Sequence, residues 1–235
     1  MPQLWKRIGK KCIAAVLTMV LLCSLSIPAF AATETKAVQT QAVSTAASKK
    51  TVLLGDSRTA NLREVRTGGP LIKDLITQDG NIVWDFKWGA RLTDMVTYLV
   101  PRLELSGAID SKTTIVIWMG FNDAANDTGA TEDYINYINL LAALWNVRGA
   151  KVYYLNVGPA GHRNGASKAD KEFYAMRNTR IKVFNKSLKK NLSSQIKYID
   201  CYSYLANNGY TTTDGTHYNA ATSKKVYSFI MKSIK

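Results

Sequence analysis

The sequence predicts an α/β fold: a parallel β-sheet of five strands with helices on both faces. Three observations predict it. Short β-branched apolar runs alternate with helix-period segments over most of the chain. The clearest run, Thr114-Ile115-Val116-Ile117-Trp118-Met119, is apolar at consecutive positions, as a strand covered on both faces must be. No internal repeat or long heptad register supplies a rival architecture.

The first strand is Thr51-Val52-Leu53-Leu54, stopped by Gly55, and Ile82-Val83-Trp84-Asp85-Phe86 is the second. Arg91 to Leu105 has a helical period, with Pro101 bending or ending the helix. Thr114 to Met119 is the central third strand. Thr131-Glu132-Asp133 opens a helix that reaches about Val147, and Lys151 to Val157 is the fourth strand. Ala169 to Asn191 is a long helix with Phe173, Met176, Ile181, Phe184 and Leu188 as candidate core positions. Ile196 to Asp200 is the fifth strand and Ala220 to Ile234 the closing helix. One domain, residues 51–235, accounts for all of these elements.

Composition agrees. Of 235 residues, 46% are hydrophobic and 20% charged, which supports a packed core and excludes wholesale disorder. With 15 Gly and 5 Pro the chain is not collagen-like, and 3 Cys cannot build a disulfide framework.

Residues 1–31 read as a secretory signal: Lys6, Arg7, Lys10 and Lys11 precede an apolar run from Cys12 to Ile27, and Ala29-Phe30-Ala31 offers a cleavage site. A retained anchor needs roughly 20 apolar residues, more than this run supplies before Pro28. A lipoprotein reading of Cys23 is opposed by Leu22, where a small residue is expected. Residues 32–50 are small, polar and free of aromatics, and read as a flexible linker. Cleavage would remove four basic residues, leave 27 Lys and Arg against 17 Asp and Glu, and leave Cys201 as the single thiol. The expected location is therefore secreted or extracellular, with cell-wall association open. A balance of +10 suits anionic wall polymers, acidic polysaccharides or lipid surfaces, or is simply a solvated basic face. No nucleic-acid motif is present, so nucleic acid is not an expected partner.

In open parallel sheets, functional groups gather at the carboxyl ends of strands. Gly55-Asp56-Ser57-Arg58 follows the first strand and would place Ser57 at a helix start, either as a hydroxyl nucleophile or only as an N-cap. Trp88-Gly89-Ala90 follows the second strand, where Gly89 either lets backbone approach a substrate or simply turns the chain. Gly120-Phe121-Asn122-Asp123 follows the third, so Asn122 offers a side-chain donor or an Asx-turn. Asn122, Asp123, Asn126 and Asp127 do not have the spacing of a calcium loop, and no metal is expected. Asp214-Gly215-Thr216-His217 precedes the last helix, and its spacing lets Asp214 reach His217 Nδ1 and leave Nε2 free as a base. The only other histidine, His162, lies in a polar glycine-containing loop and is a substrate-adjacent or merely exposed residue. Each signal alone is ordinary; their order and placement together point to one hydroxyl–imidazole–carboxylate site.

This set resembles the SGNH, or GDSL-like, hydrolase family over nearly all of the chain from Thr51 onward. The resemblance implies a flavodoxin-like three-layer α/β/α sandwich. It implies Ser57 as nucleophile, Asp214 and His217 as acid and base, and the Ser57 amide, Gly89 and Asn122 as the oxyanion hole, with no cofactor. Two departures stand out. Arg58 occupies a position where many members have Leu, and the Lys-Trp-Gly-Ala-Arg segment around Gly89 is a loose version of its block.

The expected function is a secreted serine ester hydrolase, with an acylated small molecule or a polysaccharide such as a cell-wall glycan as substrate. The alternatives are an O-acyltransferase on the same fold and a non-catalytic surface-binding module. Arg58 and Trp88 are further substrate-adjacent candidates: Arg58 would attract an anionic ester or pair with Asp56. Trp84, Trp88 and Trp118 offer a sugar-stacking platform unless they pack in the core.

Overall fold

A computed structural model describes residues 49–235 apart from 128 and 162–164. The expected signal, nearly all of the linker and His162 lie outside the described residues. The strands are β1 (Lys50–Gly55), β2 (Asp74–Asp79), β3 (Ile82–Lys87), β4 (Thr113–Trp118), β5 (Lys151–Leu155) and β6 (Ile196–Ile199). They form one sheet in the order β2-β3-β1-β4-β5-β6. The helices are α1 (Ser57–Thr67), the composite α2 (Leu92–Asp94, Met95–Leu99 and Val100–Leu105), α3 (Phe121–Ala124), α4 (Thr131–Val147), α5 (Lys168–Asn191), α6 (Cys201–Asn208) and α7 (Ala220–Ser233).

Five strands are mutually parallel, as expected, and a sixth was not foreseen. β2 pairs antiparallel with β3 at the edge, joined to it by the two-residue turn Gly80-Asn81. Its sequence, Asp-Leu-Ile-Thr-Gln-Asp, carries only two apolar residues because an edge strand is half solvated. The Gly80-Asn81 pair was the readable hairpin signal. β1 starts at Lys50, one residue inside the stretch read as linker.

Side-chain alternation splits the core into two halves. Val52, Leu54, Ile115, Ile117, Val152 and Tyr154 face α2, α4 and α5, where Leu103, Tyr134, Leu141, Trp145, Ile181 and Phe184 cover them. Leu53, Trp84, Val116, Trp118 and Leu155 face the opposite way, toward Leu62, Leu205, Val226 and Ile230 of α1, α6 and α7. The result is a three-layer sandwich.

Pro101 neither ends α2 nor sharply breaks it. Proline offers no N–H to Thr97 O, and its ring crowds that carbonyl. The chain widens into a π-type turn over Met95–Leu99, where Val100 N–H donates to Met95 O, and resumes as α-helix from Val100. In α5, Ile181, Phe184 and Leu188 are buried, but Phe173 and Met176 are 47% and 45% exposed, correcting the expected core. The 24-residue helix is about 36 Å long against about 20 Å for a six-residue strand, so its first turns outrun the sheet. Cys201 is buried, and burial pushes its thiol up to about 12, so it acts as a small apolar residue.

Candidate active site

The sheet register brings three loops to one edge. Gly55 at the end of β1 lies opposite Phe86 of β3 and Trp118 of β4. Ser57, Gly89 and Asn122 follow those partners by two to four residues, on neighbouring strands about 4.8 Å apart.

Asp56, not Ser57, caps α1: its carboxylate accepts the Arg58 N–H at 2.9 Å. Ser57 is the first helical residue, so its N–H has no intrahelical acceptor, and its hydroxyl is released from capping. That division of labour is the local reason for Asp before Ser.

The imidazole comes from the loop between α6 and α7. A Thr212–Tyr218 bridge closes the loop's base, and Thr213 N–H donates to His217 O at 2.8 Å. Asp214 Oδ1 accepts the backbone N–H groups of Thr216 and His217 at 2.8 and 2.7 Å. Its Oδ2 lies 2.7 Å from His217 Nδ1. His217 Nε2 lies 2.9 Å from Ser57 Oγ, across 160 residues of sequence. A carboxylate only accepts, so Nδ1 carries the ring proton and Nε2 turns its lone pair toward the hydroxyl. Burial pushes Asp214 up, but the hydrogen bonds from His217 and Thr216 outweigh it and hold the carboxyl below its usual range. Gly215 is required here: its φ is +85°, and a Cβ would fall 2.0 Å from the Tyr174 ring. Tyr174 also donates its hydroxyl to Asp214 O at 2.8 Å, tying the loop to α5.

Gly89 sits in a turn at φ +69°. Trp88 N–H donates to Lys73 O and Ala90 N–H to Lys87 O, whereas Gly89 N–H bonds to no partner among the described residues. Asn122 donates one Nδ2 proton to Ala90 O at 3.0 Å, which fixes the amide orientation and leaves the second proton for another acceptor. Asp123, 4% exposed, accepts Leu92 N–H at 3.1 Å, so two adjacent side chains tie the Gly89 loop to the Asn122 loop. This structural use of Asp123 was not legible in sequence.

The other candidates divide. Trp88 stacks on His217 with ring centroids 4.6 Å apart and planes 20° from parallel, so it belongs to the site. Trp84 and Trp118 are buried in the core, which removes the three-tryptophan platform. Arg58 is 2% exposed and presents no surface to a substrate. Its guanidinium does not pair with Asp56 either; it donates to the carbonyls of Thr216, Gly158 and Pro159.

A hydroxyl, imidazole and carboxylate in line at the carboxyl edge of a largely parallel sheet, beside strand-end Gly and Asn, is the arrangement of an SGNH-type hydrolase. The model of the GDSL-like lipase/acylhydrolase family matches residues 51–230, and the chain belongs to that family. No curated protein matches it by sequence. Solved structures share the fold. A Streptococcus pneumonia protein provisionally described as a platelet activating factor is 18% identical, with a TM-score of 0.58 over 83% of this chain and 87% of its own. An extracellular lipase from Streptomyces rimosus is 15% identical, with a TM-score of 0.54 over 80% and 100%. An acetyl xylan esterase is 16% identical, with a TM-score of 0.50 over 79% and 100%.

Proposed function

We propose that this chain is an exported carboxylic ester hydrolase acting through a covalent acyl-enzyme on Ser57. The observation that carries the reading is the unbroken relay from Asp214 through His217 to Ser57, with contacts of 2.7 and 2.9 Å. Ser57 Oγ attacks the ester carbonyl while His217 Nε2 takes the hydroxyl proton. The negative charge that develops on the carbonyl oxygen is held by the N–H groups of Ser57 and Gly89 and by the free amide proton of Asn122. Asp214 holds the ring in the working tautomer and balances the imidazolium. The tetrahedral adduct collapses, the C–O bond to the alcohol breaks, and His217 returns the proton to the departing alkoxide. Water then attacks the acyl-enzyme by the same route, with His217 again as base, and releases the acid.

The substrate class proposed is a short-acyl ester on a polysaccharide, an acylated wall glycan or acidic glycan in particular. The excess of Lys and Arg over Asp and Glu supports an anionic polymer. A structural neighbour described as an acetyl xylan esterase supports the acetyl ester. The test is a panel of p-nitrophenyl esters from acetyl to long acyl, run beside acetylated glycans, with Ser57→Ala as control. Short esters and glycan acetate should be released by the wild type only. Equal turnover by Ser57→Ala contradicts the reading.

A further inference from the structure

Arg58 is one of the two departures from the family pattern that the sequence shows, and its side chain reaches far from its own helix. It leaves α1 next to the nucleophile and enters the protein interior. Nε donates to Thr216 O at 3.1 Å, one residue before His217. The two Nη groups donate to Gly158 O at 2.9 Å and Pro159 O at 3.3 Å, in the loop after β5. The guanidinium carbon lies over two rings, 3.8 Å from the centroid of Phe121 and 4.6 Å from that of Tyr218. Phe121 precedes Asn122, and Tyr218 follows His217. A single buried side chain, borne by the residue next to the nucleophile, therefore touches the neighbours of the oxyanion-hole asparagine and of the base.

The chemistry of the contacts is specific to a planar five-donor fork. The guanidinium forms no direct salt bridge among the described residues; three carbonyl dipoles and two aromatic faces surround it, and the buried Asp56 carboxylate balances its charge at longer range. Pro159 O also accepts the Tyr218 hydroxyl at 2.8 Å, which closes the ring of contacts. A leucine would fill part of the gap between Phe121 and Tyr218 but would leave the carbonyls of Gly158, Pro159 and Thr216 without this donor. A lysine would keep the charge but could not span all three in one plane.

We propose that Arg58 is a positioning residue for the hydrolytic reaction: its guanidinium holds the Ser57, Asn122 and His217 segments in mutual register. This rests on the reading of those three residues as the catalytic set. Displacing a reacting group by about 1 Å costs about 10²-fold in rate, and Arg58 spans the segments that carry the groups.

The experiment compares Arg58→Leu and Arg58→Lys with wild type on p-nitrophenyl acetate, below the unfolding temperature of each variant. Active sites are counted by fluorophosphonate labelling, so that kcat refers to competent molecules alone. Labelling of wild-type Ser57 tests the underlying reading separately: if it fails, the catalytic set is wrong, whatever Arg58 does. With that control positive, Arg58→Leu should lose about 10²-fold in kcat with KM within about threefold of wild type. Arg58→Lys should recover part of the loss and remain about tenfold below wild type. A side chain that serves stability alone would lower the unfolding temperature while leaving kcat per labelled site unchanged. That result in either variant overturns the proposal, and Arg58→Lys alone decides it if Arg58→Leu does not fold.

Discussion

Replacing Asp214 by asparagine should harm the reaction more than replacing it by alanine, and the reason lies in the loop's hydrogen bonds. Asp214 Oδ1 accepts two backbone N–H groups, at 2.8 and 2.7 Å, and Oδ2 faces His217 Nδ1 at 2.7 Å. Asparagine has one accepting atom to offer. Turned toward the two backbone donors, it presents its NH2 to Nδ1, and the ring proton must move to Nε2, where it faces Ser57 and removes the base. Turned the other way, it sets its NH2 against two backbone N–H groups. Each unpaired or clashing donor costs about 1–3 kcal/mol, and the lost charged contact to the imidazolium about 1.5–3 kcal/mol. The Asp214 side chain is 53% exposed, so solvent screening holds the charge contribution at the lower end. A total of about 3–5 kcal/mol corresponds to about 10²–10⁴ in kcat. Asp214→Ala opens the same exposed position to water, which can accept from Nδ1 and keep the working tautomer, so its loss should be at least tenfold smaller. Initial rates on p-nitrophenyl acetate, normalised to folded protein by circular dichroism, measure the contrast. An Asp214→Asn enzyme as active as wild type, or more active than Asp214→Ala, refutes the tautomer argument.

Three other outcomes follow. Asn122→Ala removes a donor at the oxyanion and the tie to Ala90 O, and should cost about 10²–10³ in kcat with a smaller change in KM, read from steady-state kinetics. Asp85 is fully buried beside Arg102, and burial pushes its carboxyl up to about 6 against the pull of that guanidinium. Its folded value lies above the unfolded one of about 3.9, so the folded state holds the extra proton between them and loses stability as pH rises through about 6, by roughly 3 kcal/mol. Urea midpoints from pH 4 to 7.5 should show that decline in wild type and not in Asp85→Asn; equal slopes contradict it. Cys201, with its thiol pushed up to about 12, should resist iodoacetamide at pH 8 and react stoichiometrically in urea, as mass spectrometry would report.

Strand–helix order, the parallel core of the sheet and the strand-end positions of Ser57, Gly89 and Asn122 were legible because both-face burial writes apolar runs directly into sequence. β2 was not, because an edge strand shares its polarity with loops and only Gly80-Asn81 announced it. Phe173 and Met176 satisfied a helical period but not burial, since the period says nothing of where the sheet beneath ends. At the site, the Asp214–His217 spacing was readable because both members of the contact lie in one short loop. The roles of Asp123 and Arg58 were not. A buried carboxylate serving Leu92 N–H and a guanidinium serving three carbonyls are long-range contacts whose partners are backbone atoms, and backbone carries no identity in the sequence. Residue type alone offered Arg58 to an anionic ester or to Asp56; its 2% exposure and its three carbonyl acceptors place it in the interior.

Covalent capture of the nucleophile tests the central claim most directly. Wild-type protein is treated with a fluorophosphonate and digested, and the modified peptide is sequenced by mass spectrometry. The account predicts a single adduct on Ser57, formed at least 10²-fold more slowly in His217→Ala and absent from Ser57→Ala. An adduct on any other residue, or labelling of Ser57 at the wild-type rate without His217, would contradict it.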